Sequence, residues 1–289
     1  MRIVILGGNG QIGRVIFSEL KKEKNWEVIG TSRLRKMDSF CFDPFQDDWS
    51  KLGKVDVIIN AVGQIISTKK YSFEKIHIEL VQLILKNRIV IGSPRIIHIS
   101  ALGASPNHEI DFLKTKGQAD EYLYQAENAI VLKPSIICTH RTTMVRKMQM
   151  LYKYSRFFGG IIFVPKNFLD HATQPVMPAD LAEIIKISCV AERLPKSLDV
   201  VGPDRITYRK LIDILFQERK KKYRLVQLPK KIVDFFIRFF IYPFFPSIIT
   251  WQQYQALFKD NISDVTKVEN YIGHPTQSTV DFWKKELGS

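Results

Sequence analysis

Blocks of apolar residues of strand length follow one another through the first half of the chain: IVILGG, WEVIGTSR, SFCFD, DVIINAVG, RIIHISALG and AIVLKPSII. Most are runs of Ile, Val and Leu that close on Gly, Pro or a small polar residue, the pattern of strands buried on both faces. Between them apolar positions recur at helical spacing, as at Ile76, Leu80, Leu83 and Ile84 and again from Asp111 to Gln125. Strands joined by helices need right-handed crossovers to a parallel neighbour, which predicts an α/β, doubly wound parallel sheet of the Rossmann kind.

After residue 139 the rhythm changes. Short strands (IIFVP, SLDVVG, YRLVQLP) are separated by helices such as MPADLAEIIKISCV and TYRKLIDILFQERK. The expected division is a nucleotide-binding domain over 1–139 and a smaller α/β region over 140–289, packed on the cleft, with the chain returning to the main domain. No internal repeat or low-complexity linker separates the two.

The first strand runs into GGNGQIG, which places Gly7, Gly10 and Gly13 at the opening of a helix that begins Gln11–Ile12. Glycines at this spacing serve a tight turn, close approach of backbone to a pyrophosphate, and close packing of helix on strand. The helix N-terminus then offers N–H groups and a positive dipole end to the phosphates. The second strand ends GTSRLRK, where Ser32 and Arg33 stand in place of the acidic residue that binds NAD ribose hydroxyls. A guanidinium beside hydroxyls suits a 2′-phosphate and favours NADP(H) over NAD(H); the alternative is a solvated basic loop. Asp43 either accepts from the adenine amino group or caps the next helix. Ala61, Val62 and Gly63 after the fourth strand, and Pro134 with Ser135 after the sixth, would let backbone pass close to the cofactor.

Composition sharpens this picture only in part. A chain of 289 residues buries a sizeable core without disulfides, and Cys41, Cys138 and Cys189 show neither paired nor metal-ligand spacing. A reducing compartment and no bound metal are therefore expected. A buried strand begins at Arg2, so a cleaved leader is not expected. The formal charge of +14 favours anionic partners, and much of it gathers in RKKKYRLVQLPKKIVDFFIRFFIYPFFPSII. Asp234, Arg238, Pro243 and Pro246 break that run short of a membrane span. It suits an interfacial helix with aromatics toward acyl chains and lysines toward anionic headgroups. The spacing of Val233, Phe236 and Phe240 equally suits a helix docked on its own domain. No nucleic-acid recognition motif accompanies the charge.

The motifs GGNGQIG, IINAVG, IIHISALGAS, FLKTK, VLKPSII, TQPVMPADLAEII and DVVGPDRITYRKLIDIL occur in the order seen in the atypical, extended short-chain dehydrogenases. With the ending ITWQQYQALFKDNISDVTKVENYIGHPT, the chain most resembles the group of the complex I short-chain-dehydrogenase-like accessory subunit and its bacterial relatives. That resemblance implies a tightly held NADP(H), a role in a membrane complex, and no established turnover. It would make the protein cytoplasmic, or peripheral on the inner face of a membrane, with 219–249 as the contact. In active members of the wider family a serine, a tyrosine and a lysine four residues later form the reacting centre. Ser100 and Lys116 match, but Phe112 occupies the tyrosine position and has no proton to transfer. Tyr122 and Tyr124 lie about 15 to 18 Å further along the helix. His98, His108 and Glu109 are the remaining candidates for a substitute acid. The alternative function is an NAD(P)H-dependent reductase or epimerase acting on a small hydrophobic substrate through such a donor.

Overall fold

The computed structural model describes all residues except 35–38, 65–66, 69–70, 141, 242–249 and 289. In chain order the described strands are β1 (Arg2–Leu6), β2 (Glu27–Ser32), β3 (Phe40–Cys41), β4 (Val57–Asn60), β5 (Arg95–Ile99), β6 (Ala129–Pro134), β7 (Ile161–Pro165), β8 (Ala172–Thr173), β9 (Ser197–Val200), β10 (Ile206–Thr207) and β11 (Arg224–Leu228). The α-helices are α1 (Gln11–Leu20), α2 (Leu80–Asn87), α3 (Asp111–Tyr124), α4 (Thr143–Phe157), α5 (Pro178–Val190), α6 (Tyr208–Glu218), α7 (Lys230–Phe236), α8 (Trp251–Ala256), α9 (Val265–Ile272) and α10 (Val280–Gly288).

The chain forms two units. The first comprises Met1–Pro134, Pro178–Val200 and Asp264–Pro275. It holds a parallel sheet in the order β3-β2-β1-β4-β5-β6-β9. Successive side chains of a strand point to opposite faces, and here both faces are covered. Val4, Leu6, Ile58, Ile96 and Val131 join one core with Leu80, Val81 and Ile84 of α2 and Ala119 and Leu123 of α3. The alternate residues Ile3, Ile5, Ile59, Ile97 and Ile130 are equally buried, as are Ile16 and Leu20 of α1 and Ile184 and Ile185 of α5. α1 packs on α5, and α2 on α3. A π-helical turn, Lys75–Glu79, leads into α2 and carries the buried His77 inward.

The expected cut at residue 139 does not divide the chain cleanly. The strand SLDV, assigned from sequence to the later region, is the seventh strand of the main sheet, with Val131 opposite Ser197 and Pro134 opposite Val200. Its Leu198 and Val200 are buried, and α9 packs on it and on α5. A four-residue strand carries no local signal for which sheet it joins; the bare edge of β6 recruits it.

The second unit comprises Ser135–Met177, Val201–Ser263 and Thr276–Ser289. β7 and β11 pair in parallel, and β8 pairs antiparallel with β10. Its core gathers Met144, Met148, Leu211, Leu215, Phe216, Trp283 and Leu287 from α4, α6 and α10.

Candidate functional site

Parallel strands put their carboxyl ends on one edge of the sheet, and Gly7, Ser32, Ala61, Ser100 and Pro134 sit at or just after those ends in the first unit. β1 turns at Gly7, whose φ is +78°. Gly10, the residue before α1, is extended (φ −67°, ψ 169°), donates its N–H to the Gly7 carbonyl at 2.8 Å, and brings no side-chain cap to the first turn, Gln11 to Gly13. A Cβ on Gly13 would lie 2.2 Å from the Gly7 oxygen, so only glycine lets the helix seat this closely on the turn. The uncapped N-terminus of a ten-residue helix is an anion site in form. Asn9 Nδ2, buried without a partner in the same loop, adds a donor of the kind a phosphate oxygen would use.

Around this loop, a Cβ on Gly7 would meet Val62 Cγ2 at 3.0 Å and the Ala61 carbonyl carbon at 3.2 Å, so the β1 and β4 ends touch. Ser32 Oγ accepts from Leu34 N at 3.3 Å. The exposed Arg33 lays its guanidinium 4.1 Å over the Tyr71 ring, a partner not evident from sequence. Asp43 Oδ1 accepts from Phe45 N at 3.0 Å and so holds a local turn. The following 3₁₀ helix, Trp49–Leu52, is capped by Asp48 rather than Asp43. The Pro134 carbonyl accepts from Leu102 N at 2.9 Å, closing the β6 end over the loop after β5.

Lys116 is 5% exposed on α3 and donates from Nζ to the Ile99 carbonyl at 2.9 Å. A Cβ on Gly63 would lie 3.8 Å from that ammonium, so the β4 loop and the lysine share one corner. Burial pulls the Lys116 pKa down to about 8, with Asp120 opposing. α3 is held close by Gly117, where a Cβ would fall 2.1 Å from the Ser105 carbonyl carbon. Phe112 packs against Phe73 and His77, with ring centroids 6.0 Å and 5.6 Å away. His77 Nδ1 bonds to Thr115 Oγ1 at 2.8 Å, and burial followed by the Lys116 charge pushes its pKa down to about 3, leaving it neutral. His108 Nδ1 accepts from Ile110 N at the start of α3. Tyr124 lies by Lys133, its ring centroid 5.7 Å from that ammonium.

Ser100 is buried at the end of β5. Its hydroxyl donates to Asp120 Oδ2 at 2.9 Å, and both residues are buried. Asp120 Oδ2 also lies 3.4 Å from Lys133 Nζ, and Oδ1 lies 3.7 Å from His98 Nε2. Burial raises the Asp120 pKa to about 6 against the pull of Ser100, Lys133 and Lys116. His98 is held neutral by burial and by the Lys116 charge. This buried group was missed in the sequence, although Asp120 stands four residues after Lys116 and so one helical turn along the same face.

The chain is similar to subunits of NADH–ubiquinone oxidoreductase. It is 22% identical to the mitochondrial 40 kDa subunit of that enzyme from Neurospora crassa over 79% of this chain and 63% of the relative. It is 25% identical to the mitochondrial alpha subcomplex subunit 9 of NADH dehydrogenase [ubiquinone] 1 from Arabidopsis thaliana, over 89% of this chain and 70% of the relative. The chain thus spans under two thirds of the Neurospora subunit. Among solved structures, UDP-glucuronic acid 4-epimerase from Bacillus cereus, in complex with UDP-glucuronic acid and NAD, superposes with a TM-score of 0.71 at 14% identity, covering 99% of this chain and 98% of that one. No protein-family model matches the chain. The resemblance to the atypical short-chain dehydrogenases therefore rests on sequence relatives and on fold together.

In the second unit, part of the basic aromatic run is described. Asp234 turns inward, bonding Lys230 Nζ at 2.8 Å and accepting from Tyr254 Oη at 2.8 Å. Val233 and Ile237 form the inward face, with Ile237 buried; Phe236 does not dock, being 52% exposed. Ile232, Phe235, Phe236 and Phe239 recur at i, i+3, i+4 and i+7 and are all exposed. Lys220, Lys221, Lys222, Arg224, Lys231 and Arg238 are exposed too, whereas Arg219 is committed to the Leu287 carbonyl at 2.9 Å. Pro243, Phe244, Phe245 and Pro246 lie outside the described residues. Among those described, no helix is long and apolar enough to cross a membrane.

Proposed function

We propose that this protein is an NADP(H)-binding, atypical short-chain-dehydrogenase-like protein that holds its nucleotide as a structural or sensory group, and that it is a peripheral component of a membrane-bound, respiratory-type complex. One observation supports the reading most: the buried Lys116 ammonium, which in this reading holds a nicotinamide ribose, has the hydrocarbon ring of Phe112 5.9 Å away where the reaction would need a hydroxyl. In this reading Gly7, Gly10, Gln11, Ile12 and Gly13 take the pyrophosphate, and Ala61, Val62, Gly63 and Pro134 give backbone room beside the nicotinamide. Ser32 and Arg33 take the 2′-phosphate. Asp43 lies beyond them toward the adenine. The B. cereus structure holds NAD on this fold, which supports a nicotinamide dinucleotide; the preference for its phosphorylated form rests on Arg33.

The complex association rests on the NADH–ubiquinone oxidoreductase relatives and on the second unit's exposed phenylalanines rimmed by lysines and arginines. An active reductase or epimerase would need another proton donor, and His77, the nearest imidazole to Phe112, is buried and neutral.

The deciding experiment is to purify the full chain and identify the nucleotide that comes with it. Stoichiometric NADPH or NADP, with no NADPH oxidised across a panel of carbonyls and quinones, is the expected result. Steady turnover on any member of the panel would overturn the non-catalytic reading.

A further inference from the structure

The formal charge of +14 is not shared evenly along the chain. The second unit has 20 lysines and arginines against 8 aspartates and glutamates, whereas the first has 23 against 21. Within the second unit no acidic residue occurs between 143 and 169 or between 219 and 233. These two stretches supply the parallel strands β7 and β11, so the turns that lead into them, 157–160 and 219–223, lie at the same end of the ribbon. The turns touch. Arg224 N donates to the Gly160 carbonyl at 3.0 Å, and a Cβ on Gly160 would lie 3.1 Å from the Lys222 carbonyl oxygen.

The first turn is aromatic. α4 turns Met144, Met148 and Tyr152 to the core, which leaves Tyr154 and Phe157 outside, one helical turn apart. Phe157 is 85% exposed and Phe158 56%. Phe158 rests edge-on against Phe163 of β7, ring centroids 5.8 Å apart, on the face opposite the buried Ile162 and Val164. The backbone holds these rings out, since Phe158 N and Gly160 N both donate to the carbonyl of the buried Ser155, at 3.0 Å and 2.9 Å.

The second turn is cationic. Lys220, Lys221, Lys222 and Arg224 are exposed, as are Lys153 and Arg156 beside the phenylalanines. Among the described residues none of these six forms an ion pair. The acids nearest in sequence are turned elsewhere: Asp213 accepts from Tyr223 Oη, and Glu218 lies against Gly288. A contiguous exposed aromatic patch rimmed by charge of one sign marks an interaction surface. Four of the six cations are lysines, flexible point charges that can follow mobile phosphates, rather than arginines placed for bidentate pairing with fixed carboxylates. Bare rings at the tip of a turn suit acyl chains.

We propose that turns 157–160 and 219–223 together form a wedge that seats in an anionic lipid surface. Phe157 and Phe158 enter the acyl boundary, and Lys220, Lys221, Lys222 and Arg224 meet lipid phosphates. This contact deepens the membrane association proposed above, on which it rests; it uses none of the α7 residues and needs no nucleotide.

The test is flotation of the full chain with vesicles of phosphatidylcholine, either alone or with about one-third phosphatidylglycerol. The wild type should float with the anionic vesicles at low salt and much less with the neutral ones. Phe157→Ser, which changes a ring outside the core, should weaken flotation about tenfold. Lys220→Ala combined with Lys221→Ala and Lys222→Ala should weaken it about a hundredfold. Phe157→Trp should add emission that brominated acyl chains quench beyond the wild-type level. Flotation unchanged in Phe157→Ser or in the lysine variant, or no added quenching at Phe157→Trp, overturns the wedge while membrane association through α7 stands. Equal flotation with neutral vesicles overturns the anionic contact. No flotation with either vesicle overturns direct lipid binding altogether and leaves the patch to a protein partner.

Discussion

The ring centroid of Phe112 lies 5.9 Å from Nζ of Lys116, one turn along the same helix. A tyrosine at this position would place a hydroxyl close to that ammonium. Phe112→Tyr should therefore leave NADPH affinity within about twofold and raise carbonyl reduction from background by about a hundredfold, the lower end of what a placed general acid contributes. Single-turnover NADPH oxidation with a small aldehyde or ketone panel measures it. A large loss of affinity instead would mean that Phe112 does not border the nicotinamide.

Arg33 is exposed and stacked on Tyr71, so it is free to turn to a phosphate without leaving a buried partner. Arg33→Asp should weaken NADPH by about tenfold to a hundredfold, the worth of a charge-assisted hydrogen bond, while NADH changes little or improves. Isothermal titration with both nucleotides reads the ratio.

Gly13→Ala and Gly117→Ala test two close approaches. Each added methyl meets main chain under 3 Å, so neither can be accommodated by a side chain moving aside. Gly13→Ala should remove nucleotide binding. Gly117→Ala should cost about 2 to 4 kcal/mol of stability in urea, in the range of core overpacking or above it, because α3 must lift from the loop at Ser105.

Acid stability follows from the buried histidines. His77 titrates near 6.5 when unfolded and near 3 in the folded chain, so between those values the unfolded state binds more protons and stability falls as pH drops. His98 acts in the same direction. Asp120, raised to about 6, acts oppositely: its contribution is full below its unfolded value of 3.8 and is lost as pH rises through 6. Two histidines outweigh one carboxylate, so the wild type should be less stable at pH 5 than at pH 7. His77→Gln should recover about 2 kcal/mol of that difference in urea titrations at the two pH values.

With Asp234 turned inward, the outward face of α7 and the turn after it carries Ile232, Phe235, Phe236 and Phe239 without an acidic side chain. Liposomes containing anionic lipid should bind the protein in flotation, more weakly at high salt. Phe235→Ser with Phe236→Ser should reduce binding at least tenfold without changing nucleotide affinity. Unchanged flotation would remove this face as the contact.

How much was legible depended on whether the signal was local. Strands β1, β4, β5 and β6 read clearly because they are buried along nearly their whole length and therefore mostly apolar, and α1 read clearly because its glycines and its Ile16–Leu20 stripe agree. β9 read as a strand but not as a member of the main sheet, since pairing with β6 depends on residues more than sixty positions earlier. Ser100 and Lys116 were singled out by motif, yet the buried Asp120 that Ser100 meets, with His98 and Lys133 beside it, comes together only when β5, β6 and α3 do. For α7, spacing alone could not tell the inward pair Val233 and Ile237 from the neighbouring phenylalanines. The choice is made by Asp234, whose partners Lys230 and Tyr254 draw one face inward.

The late arrival of β9 bears on how the protein is made. The sheet's first six strands are synthesised by residue 134, but the strand that pairs with β6 is not made until residues 197–200. During that interval Ala129–Pro134, apolar except for Lys133 and mostly destined for burial, is a bare edge able to template pairing with another chain. A product cut at residue 139 keeps that edge permanently and should be recovered as aggregate. Ser197–Val200 thus acts as the seal on the sheet, and nascent chains would need chaperone cover until it is in place.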